Sequence, residues 1–179
     1  MIAVITPSLP NRTDFLSDAC RSVSDQELPP RVHLIGIDHA REGSSPIRNR
    51  LAKAADGCEW LAFLDDDDLL YPGHLQLLRL AGNLADADLV YPYCDVQGRD
   101  WNPSRPFDEA ALRAGNYIPV TVLVRRRAFL EAGGFRDNVQ HGWEDWDLWL
   151  RLLDNGARFV NVPTATWLYR FHSSNKTYG

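Results

Sequence analysis

The chain has 179 residues, 45% hydrophobic and 24% charged, with a formal net charge of −5. That is enough chain for one domain with a sizeable core and too little for two comfortable ones. The acidic balance excludes a broad attraction to nucleic acid or anionic lipid, and no apolar run approaches the length of a membrane span. Cys20, Cys58 and Cys94 lack metal-type spacing, so free thiols in a reducing compartment, the cytoplasm, are expected. The apolar start, Met1 to Ile5, stops at Thr6-Pro7 without a basic n-region, so this stretch is not expected to be a signal peptide.

Ile2 to Thr6 reads as a first, buried strand, with a loop over residues 7–12 at its carboxyl end. Thr13 or Asp14 is placed to cap a helix whose Phe15, Leu16, Ala19, Cys20 and Val23 share one face. Leu28-Pro29-Pro30 breaks it. Val32 to Ile37 is a second strand ending at Asp38, which completes a βαβ unit. Ser45-Pro46 opens the next helix, with Ile47 and Leu51 inward. Arg48 and Arg50 fall near its amino end. Guanidinium forks there match phosphate oxygens; two surface arginines are the alternative.

Trp60 to Leu64 is short, apolar and uninterrupted, as a strand buried on both faces is. It runs straight into Asp65-Asp66-Asp67-Asp68. In open α/β sheets the carboxyl edge of the strands is where ligands bind. Four adjacent acids repel one another. A divalent cation is the usual reason to hold them together, since hard ions take carboxylate oxygens and leave positions for phosphates. A solvated acidic turn is the weaker reading.

A helix follows Pro72, with Leu75, Leu78 and Gly82 inward. Short strands are expected at residues 88–91 and 94–96. The polar loop from Gln97 to Pro106 is the best candidate for a mobile segment, and its Trp101 either contacts an acceptor or packs. A short helix spans residues 107–114, and residues 116–124 are β-rich. Arg125-Arg126-Arg127 then reads as a solvated helix start rather than a phosphate contact. Glu144-Asp145-Trp146-Asp147 opens the last strong helix, with Trp146, Trp149, Leu150 and Leu153 as its expected core face. Its first-turn acids suit the helix dipole, and a carboxylate anchored there is also a rigidly aimed base. Strands over residues 158–162 and 166–170 close the chain. His172 is either a metal or phosphate contact or a lone surface histidine.

These segments resemble family 2 glycosyltransferases. The residues that carry the resemblance are VITPSLPNR, IDHA, IRNR, FLDDDDLLYPGHL, GNYIPVTVLVRR with GGF after it, EDWDLWLRL and YRFH. They cover nearly the whole chain in the family's order. The resemblance implies a GT-A fold: a three-layer α/β/α sandwich with a mostly parallel sheet and a Rossmann-like nucleotide-binding half. Residues 1–92 would bind the nucleotide-sugar and residues 93–179 the acceptor.

By the same resemblance, Asp65-Asp66-Asp67 stands as the Asp-x-Asp motif. Asp67 would ligate Mn²⁺ or Mg²⁺ directly, with Asp65 and His172 as further metal contacts. Pro7, Asp38, Arg48, Asp65 and Asp66 would hold the donor, Asp38 at the base. Asp145 would be the catalytic base and Glu144 its partner. Trp101, Asn116 and Trp143 would face the acceptor. The implied reaction is metal-dependent, inverting transfer from a nucleotide-sugar, UDP-linked by expectation, to a carbohydrate or other hydroxyl. His39 stands where a second acid is often seen, which leaves the nucleotide open. The alternative is a weak or inactive nucleotide-sugar-binding module of the same fold. A nucleotidyltransferase is disfavoured, because no Gly-rich basic phosphate loop lies near the start.

Overall fold

The computed structural model describes residues 1–98, 100, 102–136 and 142–172. β1 (Ile2–Ser8) has seven residues, all of them buried. β2 (Val32–Ile37) and β3 (Trp60–Phe63) flank it, both parallel to it. Successive side chains of a strand face opposite ways, and the alternation sorts residues cleanly here. Ile2, Val4, Trp60 and Ala62 join one core; Ala3, Ile5, Leu61 and Phe63 join the other.

The first core is closed by α1 (Thr13–Ser24), through Ala19 and Val23, and α3 (His74–Leu84), through Leu75 and Leu78. The second is closed by α2 (Ser44–Ala54), α4 (Glu109–Ala114), α5 (Arg126–Glu131) and α6 (Glu144–Asp154). The result is the expected three-layer sandwich. Its seven strands run β2-β1-β3-β6-β5-β7-β4. Pairing is parallel through β2-β1-β3 and again between β5 (Leu89–Gln97) and β7 (Phe159–Arg170). It is antiparallel on both sides of β6 (Leu123–Arg125) and between β4 (Leu69–Leu70) and β7. The sheet is therefore mixed, with its parallel run in the first half.

Several boundaries differ from expectation. The strands expected at 88–91 and 94–96 are one strand, β5, and those at 158–162 and 166–170 are one strand, β7. Each pairs with the other through register shifts near Pro92 and Tyr93, so the irregularity is absorbed without a break. Of the β-rich stretch 116–124, only residues 123–124 enter the sheet. α1 begins at Thr13 with Arg12 at the cap position and no side-chain cap bond. Within the loop expected to be mobile, the described residues 102–105 bond to β5: Asn102 Nδ2 donates to Cys94 O, Ser104 Oγ accepts from Cys94 N, and Tyr91 OH donates to Arg105 O. All three cysteines are free.

The two halves of the chain are pinned where α2 meets the 133–135 turn. Asn49 gives its amide to Phe135 O (2.7 Å) and accepts from Phe135 N (2.9 Å). Gly134 makes this possible. Its φ is +69°, and a Cβ there would lie 2.4 Å from Asn49 Oδ1.

Candidate active site

The carboxyl ends of β1, β2 and β3 share one edge of the sheet, and the start of β6 meets them there because Ala62 pairs with Leu123. A cavity of about 430 Å³ opens along that edge. Its walls include Pro7, Arg12, Asp38, Arg48, the run Asp65–Asp68, Asn116, Glu144 and Asp145. Residues far apart in sequence thus converge as the ligand-edge rule requires.

Each acid of the run meets its own partners. Asp66 is buried; Ser8 Oγ donates to its Oδ2 (2.6 Å) and Arg12 Nη1 to its Oδ1 (2.6 Å). Burial pushes its carboxyl up, against the pull of Ser8 and Arg12. Asp67 Oδ2 lies 3.0 Å from Arg12 Nη2 and 3.0 Å from His172 Nε2. Asp68 is buried and accepts the backbone N–H of Arg170 (3.0 Å). Desolvation, then the charges of Asp67 and Asp65, push it well above the usual carboxylate range. Asp65 is the most open of the four, with its side chain 35% exposed, and it pairs with Arg48.

Phe15, on the first turn of α1, is the floor under Arg12, Arg170 and His172. Its ring stacks on His172 at 4.8 Å, with the Arg170 guanidinium 5.1 Å and the Arg12 guanidinium 5.6 Å away. Arg12 is the site residue that the motif reading passed over. A signal existed: it lies in the loop directly after β1, and four adjacent acids need a cation from some neighbouring loop.

Arg48 and Arg50 separate. Two residues on a helix lie on nearly opposite faces. Arg50 is exposed and pairs with Glu42 at 2.8 Å, so it takes no part in the cavity. The Arg48 side chain is only 4% exposed. It pairs with Asp65, stands 3.7 Å from Glu144 Oε1, donates to Ser44 Oγ (3.2 Å) and lies over the Phe135 ring at 5.2 Å. Its Nε is buried with no partner among the described residues. Asp38, at the end of β2, accepts the amide N–H groups of Glu42 (2.9 Å) and Gly43 (2.8 Å), which folds the loop entering α2.

The opposite wall comes from α6. Its buried residues are Leu148, Trp149 and Leu152, so the core stripe sits about one position away from the expected one; Trp146 and Leu153 pack at its margin. Asp145 precedes Leu148, Trp149 and Leu152 by three, four and seven residues, which puts it on that same inward face. Its Oδ1 accepts from Asn116 Nδ2 (3.1 Å) and from Trp146 N (2.7 Å). Desolvation, reinforced by the adjacent Glu144 charge, raises its carboxyl to about 7. The two hydrogen bonds and Arg48 oppose the rise without cancelling it. Glu144 accepts from Ser44 Oγ (3.4 Å) and Gly142 N (3.1 Å).

Of the residues expected at the acceptor, Asn116 lines the cavity, and Trp143 lies outside the cavity lining with its ring tilted against Trp146, centroids 5.0 Å apart. Trp101 lies outside the described residues. The aromatic and apolar wall is supplied by Tyr117, Pro119, Trp167 and Tyr169, which local sequence did not flag.

A carboxylate run at the end of a buried strand, facing a helix-borne carboxylate across one cavity, is the arrangement of a GT-A transferase fold. The solved structures agree. Staphylococcus aureus TarS, residues 1–349 in complex with UDP-GlcNAc, superposes with a TM-score of 0.80 at 14% identity, over 98% of this chain and 60% of that one. The UDP complex of the same fragment gives 0.75 at 15% identity, over 95% of this chain and 60% of that one. Such identities speak for the fold alone.

The model of the family described as "Glycosyl transferase family 2" matches residues 11–143, and that of "Glycosyltransferase like family 2" matches residues 116–178. The chain belongs to family 2 of the glycosyl transferases. Among curated proteins it is 27% identical to YwdF of Bacillus subtilis (strain 168), described as an uncharacterized glycosyltransferase, over 90% of this chain and 71% of that one. It is 30% identical to the succinoglycan biosynthesis protein ExoO of Rhizobium meliloti (strain 1021), over 90% of this chain and 51% of that one. The chain thus spans about half the length of ExoO. Among the described residues no helix is long and apolar enough to cross a membrane.

Proposed function

We propose that this chain is an inverting, metal-assisted glycosyltransferase that moves a sugar from a UDP-linked donor to an acceptor hydroxyl. The observation that carries the reading is the shared cavity: the acid run at the end of β3 on one wall, and a carboxylate raised to about 7 on the other. A general base works best when its pKa lies near the working pH. The UDP and UDP-GlcNAc complexes of TarS support the choice of donor.

The donor set suits a hard divalent ion. Among the described residues no group of three or more His, Cys, Asp or Glu forms a ready cage. Mg²⁺ does not need one, since it is usually held by one or two carboxylates and completed by water and phosphate oxygens. Asp67 Oδ2 and His172 Nε2 stand 3.0 Å apart, a spacing that neighbouring ligands of one ion can keep. Asp67 and His172 would hold the ion, with Asp65 beside them. When bound, it would act as a Lewis acid on the leaving diphosphate.

The chain's own residues do the rest. Asp38 shapes the loop beneath the nucleotide, and Arg48 braces Asp65 and Glu144. Asp145 removes the acceptor proton while the hydroxyl oxygen bonds to the anomeric carbon from the face opposite the leaving group. The bond to the diphosphate breaks, and UDP leaves with the electron pair. A single base and no protein nucleophile are what inversion requires.

Thermal melting with UDP tests the reading. We expect UDP to stabilise the protein with Mn²⁺ or Mg²⁺ far more than with chelator, and Asp67→Ala to remove the difference. An equal UDP shift in chelator would sink the metal's role. No UDP shift under any condition would sink the donor. Donor binding with no UDP release across a panel of UDP-sugars would leave a binding module only.

A further inference from the structure

The end of α4 and the segment leaving it are laced to α6 by three side-chain hydrogen bonds. Trp146 Nε1 donates to Leu112 O (2.6 Å), Asn116 Nδ2 to Asp145 Oδ1 (3.1 Å), and Trp149 Nε1 to Ile118 O (2.9 Å). Two of these bind α6 through the backbone of Leu112 and Ile118, both fully buried. The middle one ends on the Asp145 carboxylate. It is therefore held between two fixed points. Asn116 is fixed as well, because its Oδ1 accepts the N–H of Ile118 (3.1 Å). An amide that accepts there must turn its NH₂ group the other way, towards Asp145.

We infer that Asn116 is the positioning residue of the catalytic base, aiming the Asp145 carboxylate at the acceptor hydroxyl. This rests on the reading of Asp145 as the base. It gives Asn116 a role different from direct acceptor contact. The charged groups facing Asp145 are Glu144, on the same helical turn, and Arg48, from α2. Asn116 is neutral and donates, so it favours the ionised carboxylate without supplying a charge that would bind the carboxylate too tightly. The arrangement parallels the general rule that a catalytic base is oriented by a third group.

The test separates aiming the base from holding the loop. Asn116→Ser keeps an oxygen that can accept the Ile118 N–H, as serine does in tight turns, but is too short to reach Asp145. Asn116→Ala loses both bonds. The readout is the titration midpoint of the Asp145 carboxyl carbon by ¹³C NMR, which needs no substrate. In both variants the midpoint should rise by about one pH unit. Release of UDP from UDP-GlcNAc at pH 7 should fall roughly tenfold, its rising pH limb should move up with the midpoint, and UDP affinity should hold. An unmoved midpoint in Asn116→Ser overturns the inference, and so does loss of the fold in both variants, which would make Asn116 a loop holder only. The parent reading fails differently: if Asp145→Asn releases UDP at the wild-type rate, Asp145 is not the base, whatever Asn116 does.

Discussion

The cavity's two walls use the same residue type in opposite ways. On the β3 wall Asp65, Asp66 and Asp67 each touch a basic side chain: Arg48, Arg12, and Arg12 with His172. On the α6 wall Asp145 touches only neutral donors, the Asn116 amide and the Trp146 N–H, and its nearest charged neighbour in sequence is another acid, Glu144. At Asp66 the Ser8 hydroxyl and the Arg12 guanidinium oppose the upward push of burial. A desolvated carboxylate without a touching cation can take a proton near neutrality. Pairs of acids whose environments diverge in this way mark a division of labour in active sites.

The largest way to break the comparison is Asp145→Asn. Asparagine keeps the shape and can still accept a hydrogen bond. It cannot remove a proton. Sugar transfer should fall by roughly two to four orders of magnitude, while UDP affinity by calorimetry stays near wild type. Near-wild-type transfer would make Asp145 a structural acid and shift attention to Glu144 or Asp147.

Next comes Arg48→Met, which removes the residue shared by both walls. Asp65 and Glu144 lose their common partner, and a nearly buried side chain loses its charge. Removing one member of a fully buried pair costs about 3–5 kcal/mol. Asp65 is a third exposed, so about 1–3 kcal/mol is expected here, read from denaturant melts. UDP affinity and transfer should both drop, unlike the split expected for Asp145→Asn. A variant with full transfer would show the two walls to be independent.

The pH dependence sharpens the comparison. With the Asp145 carboxyl raised to about 7, transfer should climb with pH through that value and level off above it. A rate already flat from pH 5 upward would mean that the base titrates lower. Stability should move the other way. The folded-state value lies above the ordinary carboxylate range, so this group's contribution is fully present below that range and is lost as pH rises through about 7. Asp145→Asn should therefore melt higher than wild type at pH 8.5, by several degrees for up to about 4 kcal/mol, with the gap closing only as pH falls towards the ordinary carboxylate value.

Much of this was legible in the sequence, for physical reasons that also mark its limits. β1 and β3 announce themselves because a strand buried on both faces must be apolar throughout. The ligand edge follows from topology, and so does the acid run's place on it. The partners of the acids do not. Arg12 and Asp66 are 54 residues apart, and His172 and Asp67 are 105 apart. No local pattern encodes such pairs. The α6 stripe was misplaced because tryptophan and leucine occupy several of its faces, and hydrophobicity alone cannot choose among them. Its true phase puts Asp145 inward, which is the reason its carboxyl is raised.

The smallest expected effect lies at the far edge of the sheet. Arg125, Arg126 and Arg127 could have been a phosphate site by composition. The register excludes them from the cavity, because Arg125 pairs with Trp60 at the start of β3, while the acid run lies at its end. Arg125 is engaged by Glu59 and Asp86, and Arg126 by Asp56. Arg127 is 77% exposed and stands 3.6 Å from Glu131, one helical turn on. Exposed pairs at that spacing contribute about 0.3–0.5 kcal/mol. Arg127→Ala should lower the melting temperature by no more than roughly 2 °C and leave both the UDP-induced shift and transfer unchanged. A lost UDP shift in Arg127→Ala would mean that nucleotide phosphate is bound at the opposite edge from the acids, and the comparison of the two walls would then describe the wrong cavity.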